Sequence, residues 1–454
     1  MEGKSHFPTS VEDLYFPSQE LGSISSVLSS LRKSTLSITN RLLSIEDDAQ
    51  FVQHVSDHYA LPLIANERCG SWYIPPHRKA GSAYFKSTDG HTGQWKFSLR
   101  RLNLQLLDLV AKHGGCVIVD STRRGKSMPD ALSKTVPIWC AVLNRALFPE
   151  KTAYHPVQFA RDFLGPSEES QIEKRIDEHV QAFEGLKLDL DHLKSTAGKP
   201  FQLLWVTREH PFPNLPEGDD AHTIILCSAS KRVHGAEMSE GGYIQGAGDD
   251  AEAWAYGLTP PVFWQNKDKI LNTEESELPS LIAQLIEEHA SNADIEPATL
   301  IPPTQNIFIM RSPKFESTID SRYVLIDCNA QSLPEPSAKR MNLGLVPGKL
   351  GSRNLRKSLD GVHQFISSIL EKDSSQHILV IDDSGKDLAV GVVLMLLCSF
   401  FNEQGEYHNP TPRKPLNKDF IRQRLAWITS AKSDANPSRA TLQSVNSFLM
   451  ERPI

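Results

Sequence analysis

What the chain lacks narrows it first. None of the apolar runs in its 454 residues is long enough to cross a bilayer. The opening MEGKSHFPTS has no charged-then-apolar pattern of the kind that directs secretion. Six cysteines stand at 69, 116, 140, 227, 328 and 398, and no two form a C-x-x-C pair. Thiols so spread argue against a structural zinc, and for reduced, mostly buried sulfur in a cytosolic or nuclear setting. Net positive charge is missing too. A balance of −7 excludes indiscriminate coating of nucleic acid, so any RNA contact must rest on local basic clusters.

Such clusters are present. The stretch KLGSRNLRK (349–357) holds Lys349, Arg353, Arg356 and Lys357 without one acid, and RKPLNKDFIRQR (413–424) holds Arg422 and Arg424. A solvated face is the plainer reading of each, but their number on an acidic chain points to RNA. Hydrophobic residues at 39% and charged residues at 23% suit a globular protein with two or three cored domains.

Short apolar runs bounded by turn residues predict buried strands at CVIVD (116–120), FQLLWV (201–206), TIILCSAS (223–230), NIFIM, YVLID and HILVID. Helical patterns lie between them, so the chain reads as α/β with two domains. A helical segment (1–65) precedes an α/β domain (66–290). A proline-containing linker (291–305) then leads to a second α/β domain (306–454), whose closing helix is opened by Asn-Pro-Ser at 436–438. A faint repeat crosses the boundary: CVIVDSTRRGKS and ILVIDDSGKDLA both run strand, Asp, small polar turn, Gly-Lys, helix.

Chemistry concentrates in four passages. In DSTRRGKS (120–127), Asp120 ends a strand and Ser121, Thr122, Arg123, Arg124, Gly125, Lys126 and Ser127 follow. Cysteine-type phosphatases place a thiol where Asp120 stands and an arginine where Lys126 stands. Thiol chemistry is therefore excluded, while anion binding by loop amides and cations survives. In DDSGKD (382–387), Asp382 replaces the thiol and Asp383, Ser384, Gly385, Lys386 and Asp387 complete the turn. That order is similar to the loop with which phosphoribosyltransferases hold a ribose phosphate, and it equally suits a helix N-cap. The third passage crowds Lys86, Asp89 and His91 around two glycines, and in the fourth Asp249 and Asp250 follow GYIQGAG. Adjacent acids in a turn can hold Mg²⁺ or cap the next helix.

Taken in order, CGSWYIPP, AYFKSTDGHTGQWKFSLRRLN, VDSTRRGKSMPDALSKTVPIWCAVLNRALFP, YIQGAGDDAEAWAYGLTPPVFW and ILVIDDSGKDLAVGV resemble the initiator tRNA phosphoribosyl-transferase family from about residue 66 to 400. The resemblance implies a cytoplasmic enzyme. It would transfer 5-phosphoribosyl from phosphoribosyl pyrophosphate to a 2′-hydroxyl in the T-stem of initiator methionyl tRNA, with no membrane and no stable protein partner. It also implies a C-terminal domain related to dual-specificity phosphatases, with 382–387 as a degenerate phosphate loop; beside it, the faint repeat leads us to expect an N-terminal domain of related α/β architecture.

Roles follow by chemistry. Mg²⁺ on Asp249 and Asp250, or on Asp382 and Asp383, would hold diphosphate. Arg123, Arg124 and Lys126 would add fixed charge around it. Asp120, Asp89 or His91 would act as general base. A catalytically inactive module that reads phosphorylated RNA or protein is the competing class.

Overall fold

The computed structural model describes residues 37–451, apart from 89–92, 94, 162, 234–238, 241, 293–296, 313–319, 321, 331–338 and 409–415. Two five-stranded sheets organise it. The first joins β1 (Leu63–Asn66), β2 (Lys79–Ala83), β3 (Gly115–Asp120), β4 (Phe201–Val206) and β5 (His222–Ser228) in the order β2-β1-β3-β5-β4. All of its neighbouring strands run parallel.

Period-two alternation explains why this sheet is buried on both faces. Along β3, Cys116 and Ile118 point into one core with the helices Val136–Leu147 and Ile176–Glu184. Val117 and Val119 point into the opposite core, which takes in Leu42, Ile45, Val52 and Val55 of the helix Ile38–Tyr59. The helix expected as part of a separate N-terminal segment thus packs on the first sheet. Its N-cap is Ser37, which accepts from the Asn40 amide.

The second sheet runs in the order 340–345, 324–329, 378–382, 307–311, 299–300. Its pairs are parallel except that Thr299–Leu300, within the expected linker, lies antiparallel to Ile307–Arg311. The helices Lys349–Leu370, Leu388–Phe400, Lys418–Ala431 and Arg439–Met450 cover one face. Leu388–Phe400 is buried along its whole length, as its unbroken apolar sequence requires. The basic stretch 349–357 is the start of a 22-residue helix.

The two sheets share a plan. In each, the strand that carries the Asp-ended loop is central, and two earlier strands lie on one side in the same order. The remaining pair follows in the chain in the first sheet and precedes in the second. Both stretches of the faint repeat contain these central strands.

The halves are joined by packing. Ala426, on the helix Lys418–Ala431, belongs to the core of the first sheet. On the same helix the Gln423 side chain donates to the Gly185 carbonyl at 3.0 Å. Arg101 donates to the Ala435 carbonyl at 2.7 Å while stacking over Tyr84.

Candidate active site

In parallel α/β sheets, ligands bind beyond the carboxyl ends of the strands. There β1 and β3 end side by side. Asn66, the last residue of β1, donates to Asp120 Oδ2 at 2.8 Å. Arg68 donates to Asp120 Oδ1 at 3.0 Å, and its other terminal nitrogen lies 3.1 Å from Asp249 Oδ2. The same guanidinium bonds the Ser121 carbonyl. Cys69 Sγ and the Ser121 amide also approach Asp120 Oδ1, at 3.1 and 2.8 Å.

Asp120 is therefore fully buried and its two oxygens are taken. A general base needs an unclaimed oxygen for the proton it removes, so the role expected for Asp120 does not survive. It anchors the loop instead. The other two expected bases, Asp89 and His91, lie outside the described residues.

Asp249 arrives on a turn pressed against the 121–125 loop. Gly246 has φ +68°, and a Cβ there would sit 2.8 Å from the Thr122 carbonyl oxygen, so no side chain fits. Gln245 ties the two segments together: it accepts from the Gly125 amide at 3.0 Å and donates to the Lys126 carbonyl at 2.7 Å. Tyr73 accepts from the Gly248 amide and contacts Ser121 Oγ, both at 2.9 Å. Burial holds the Tyr73 phenol and the Cys69 thiol well above their ordinary pKa values, so both remain protonated.

Asp249 is 5% exposed. Its Oδ2 meets Arg68, while Oδ1 is buried with no hydrogen-bond partner. Burial raises its pKa, against the opposing pull of Arg68. Its neighbour Asp250, at φ 52°, turns outward to pair with Arg123. The expected magnesium site on these two acids does not fit this arrangement. Each acid is engaged by an arginine, and no group of three or more His, Cys, Asp or Glu is placed to hold a metal ion among the described residues.

The loop keeps room for an anion. Ser121 donates its amide to Asp120, Thr122 to Ser230 Oγ and Gly125 to Gln245. The amides of Arg123 and Arg124 have no partner among the described residues. Arg124 is exposed with φ 59°, and Lys126 lies 3.7 Å from Asp130. Ser127 is half-buried. Lys86 is exposed on the segment after β2, which Thr88 ties to the same Asp130 at 2.9 Å.

The loop 382–387 behaves differently. Asp382 is buried and turns its carboxylate back onto its own loop. Oδ1 accepts from the Ser384 amide at 2.8 Å, from Ser384 Oγ at 2.9 Å and from the Gly385 amide. Oδ2 accepts from the Ala389 amide at 2.7 Å. Asp387 accepts from the Ser438 amide at 2.8 Å and from Thr441 Oγ1 at 2.5 Å. Lys386 pairs with Asp434 at 3.3 Å. Asp383 is the exposed acid of this loop, and its carbonyl is held by Arg311. The ribose-holding acid pair expected here is therefore not presented, because Asp382 is consumed by local Asx-type bonds.

Of the expected RNA contacts, Lys349, Arg353 and Lys357 are exposed at i, i+4 and i+8 along one stripe of their helix. Arg356 is committed to Asp360 and Glu451. Arg422 is exposed and pairs with Asp419 at 2.8 Å. Arg424 is a correction: at 1% exposure it is buried between Phe420 and Trp427, 4.3 and 3.9 Å from their ring centres. Its sequence neighbours are charged, but its own helix position faces the core.

Sequence reasoning missed Arg68, Asn66, Tyr73 and Gln245. The available signal was the LIANERCGSWY stretch, had LIAN been taken as a strand with its end in the site.

Residues 31–287 match a family model described as the Rit1 N-terminal domain, and residues 339–449 match one described as the Rit1 DUSP-like domain. An uncharacterized protein of Schizosaccharomyces pombe is 37% identical over 437 residues, covering 90% of this chain and 94% of that protein. The tRNA A64-2′-O-ribosylphosphate transferase of Saccharomyces cerevisiae is 32% identical over 94% of this chain and 95% of its own. No solved structure gives a significant match. With both halves matched and relatives spanning nearly its whole length, the chain belongs to the Rit1 family.

Proposed function

We propose that this protein transfers a 5-phosphoribosyl group from phosphoribosyl pyrophosphate to the 2′-hydroxyl of a T-stem adenosine in initiator methionyl tRNA, keeping that tRNA out of elongation. The observation that carries the reading is the relation, over 94% of this chain, to the yeast enzyme named for ribosylphosphate transfer to a tRNA 2′-oxygen. The cytoplasm is the proposed place of action. No described helix is long and apolar enough to cross a membrane.

The first site suits that chemistry. The bond from C1 to the pyrophosphate oxygen breaks as the bond from the RNA 2′-oxygen to C1 forms, through a sugar-cation-like state. The departing diphosphate takes charge that Arg123, Arg124, Lys126 and the free loop amides can balance. The 2′-hydroxyl proton goes to Asp249, whose Oδ1 is unpartnered and whose buried carboxyl is biased toward accepting it. Arg68 fixes Asp249 through Oδ2. Mg²⁺ is proposed only as a companion of the donor's own diphosphate oxygens.

In the second domain, 382–387 reads as a phosphate loop whose anion seat is filled by Asp382. That domain would grip tRNA through Lys349, Arg353 and Lys357, since A-form RNA is held by shape and backbone contacts. Incubation with labelled donor and initiator tRNA tests the whole: label on RNA with the wild type and little with Asp249→Asn is expected. Tight tRNA binding without label would overturn the reading and favour the phosphate-reading module.

A further inference from the structure

A cavity of about 690 Å³ opens along the edge strand β4. Its wall begins at Ser127, directly after the anion loop. Three half-buried aromatic side chains, Phe159, Phe163 and Trp205, line it, together with the exposed ring of His210. Trp205 is locked in place, because its indole N–H donates to the Leu132 carbonyl at 3.0 Å. Thr207, 9% exposed, also lines the cavity, and its hydroxyl is buried with no hydrogen-bond partner. On the rim, Arg161 is exposed and makes no ion pair among the described residues.

An orphaned buried hydroxyl in a cavity wall is costly unless a ligand supplies its partner. Flat faces with a few polar handles, Thr207, Ser127 and His210, suit a planar heterocycle that stacks and offers a polar edge. The free arginine at the mouth suits a phosphate. An aliphatic ligand would leave the Thr207 hydroxyl unpaired and the rim charge unused. We propose that this cavity receives the base of the acceptor nucleotide, turned out of the stem, so that its ribose lies over the 121–127 loop. The proposal rests on the transferase reading above and adds how the acceptor is chosen.

The test pairs protein variants with an altered RNA. The wild type and Phe163→Ala, Phe163→Leu, Thr207→Val and Thr207→Ser are assayed on normal tRNA and on tRNA whose acceptor nucleotide keeps its ribose but lacks its base. Loss of the base is expected to raise the wild-type KM for RNA about tenfold, the scale of one stacked base. Phe163→Ala, Phe163→Leu and Thr207→Val should raise it on normal tRNA and lose little more on base-free tRNA. Thr207→Ser, which keeps the hydroxyl, should match the wild type. Donor affinity, measured calorimetrically, should stay unchanged in all of them and also reports that they are folded. Wild-type transfer with an unaltered KM in the alanine, leucine and valine variants overturns the base pocket alone, as do losses that simply add on base-free tRNA. No label on either RNA with the wild type overturns the transferase reading and the pocket with it.

Discussion

Asp120 and Asp382 end matching central strands, and both are buried, yet their carboxylates find donors in opposite directions. Asp382 turns inward and takes the amides of Ser384, Gly385 and Ala389 from its own loop. Asp120 takes one amide from its loop, at Ser121, and draws the rest from Asn66, Arg68 and Cys69 beyond the neighbouring strand. Because Arg68, just beyond β1, supplies a guanidinium, the first loop keeps amides at Arg123 and Arg124 that have no partner among the described residues. The same strand, Asp and turn thus encode an open cradle or a closed one. The deciding factor is what the adjacent strand delivers.

The sharpest way to break this contrast is to remove the neighbour's donor. Arg68→Ala leaves two buried carboxylates without their partner, and should cost about 3–5 kcal/mol in urea unfolding and abolish transfer. Lys386→Ala, whose ion pair is half-exposed, should cost under about 1 kcal/mol and leave transfer intact. Equal costs at the two positions would erase the distinction.

Asp249→Asn separates chemistry from stability. Transfer should fall by about 10²–10⁴ with donor affinity retained. The stability sign is opposite to that of a salt-bridged acid. Burial raises the Asp249 pKa, so the folded state holds a proton the unfolded chain has already lost. Stability therefore falls as pH climbs from the ordinary carboxylate range through the raised value, and stays lower above it. The asparagine variant should be flat across that window and no less stable than wild type at neutral pH, by urea titration. Marked destabilisation would make Asp249 structural instead.

Asp382→Ala should empty the second cradle. Unfolding free energy is expected to drop by about 1–3 kcal/mol for the released amides. Added phosphate should then raise the melting temperature of the variant more than that of the wild type. A variant indifferent to phosphate would mean that the loop geometry is not a latent anion seat.

The smallest effect belongs to the exposed stripe. Charge reversal at Lys349, Arg353 and Lys357 should weaken tRNA binding and lower its salt slope by about one unit per lost phosphate contact, with donor affinity unchanged. Charge reversal at Arg356, already paired with Asp360 and Glu451, should weaken the local fold more than RNA affinity.

Much of the architecture was legible because buried parallel strands leave continuous apolar runs. CVIVD, FQLLWV, TIILCSAS, NIFIM, YVLID and HILVID all lie in or overlap strands. The strands Lys79–Ala83 and Arg340–Leu345 were not legible. Both are edge strands of partly exposed, polar or glycine-containing sequence, and their identity comes from pairing with a neighbour rather than from pattern. The site divided in the same way. Its loop announced itself through Arg123, Arg124 and Lys126, and Asp249 through its glycine turn. Arg68 carries no local signature, since only the sheet brings it to Asp120. Arg424 failed for the converse reason: a charged neighbourhood in sequence says nothing about which side of a helix faces the core.

The helix Lys418–Ala431 lends Ala426 to the interior of the other half and Gln423 to its Gly185 carbonyl. Cutting the chain near residue 300 would therefore strip an internal plug from one fragment and leave an unclothed apolar helix face on the other. Neither piece should be expected to behave as an independent module.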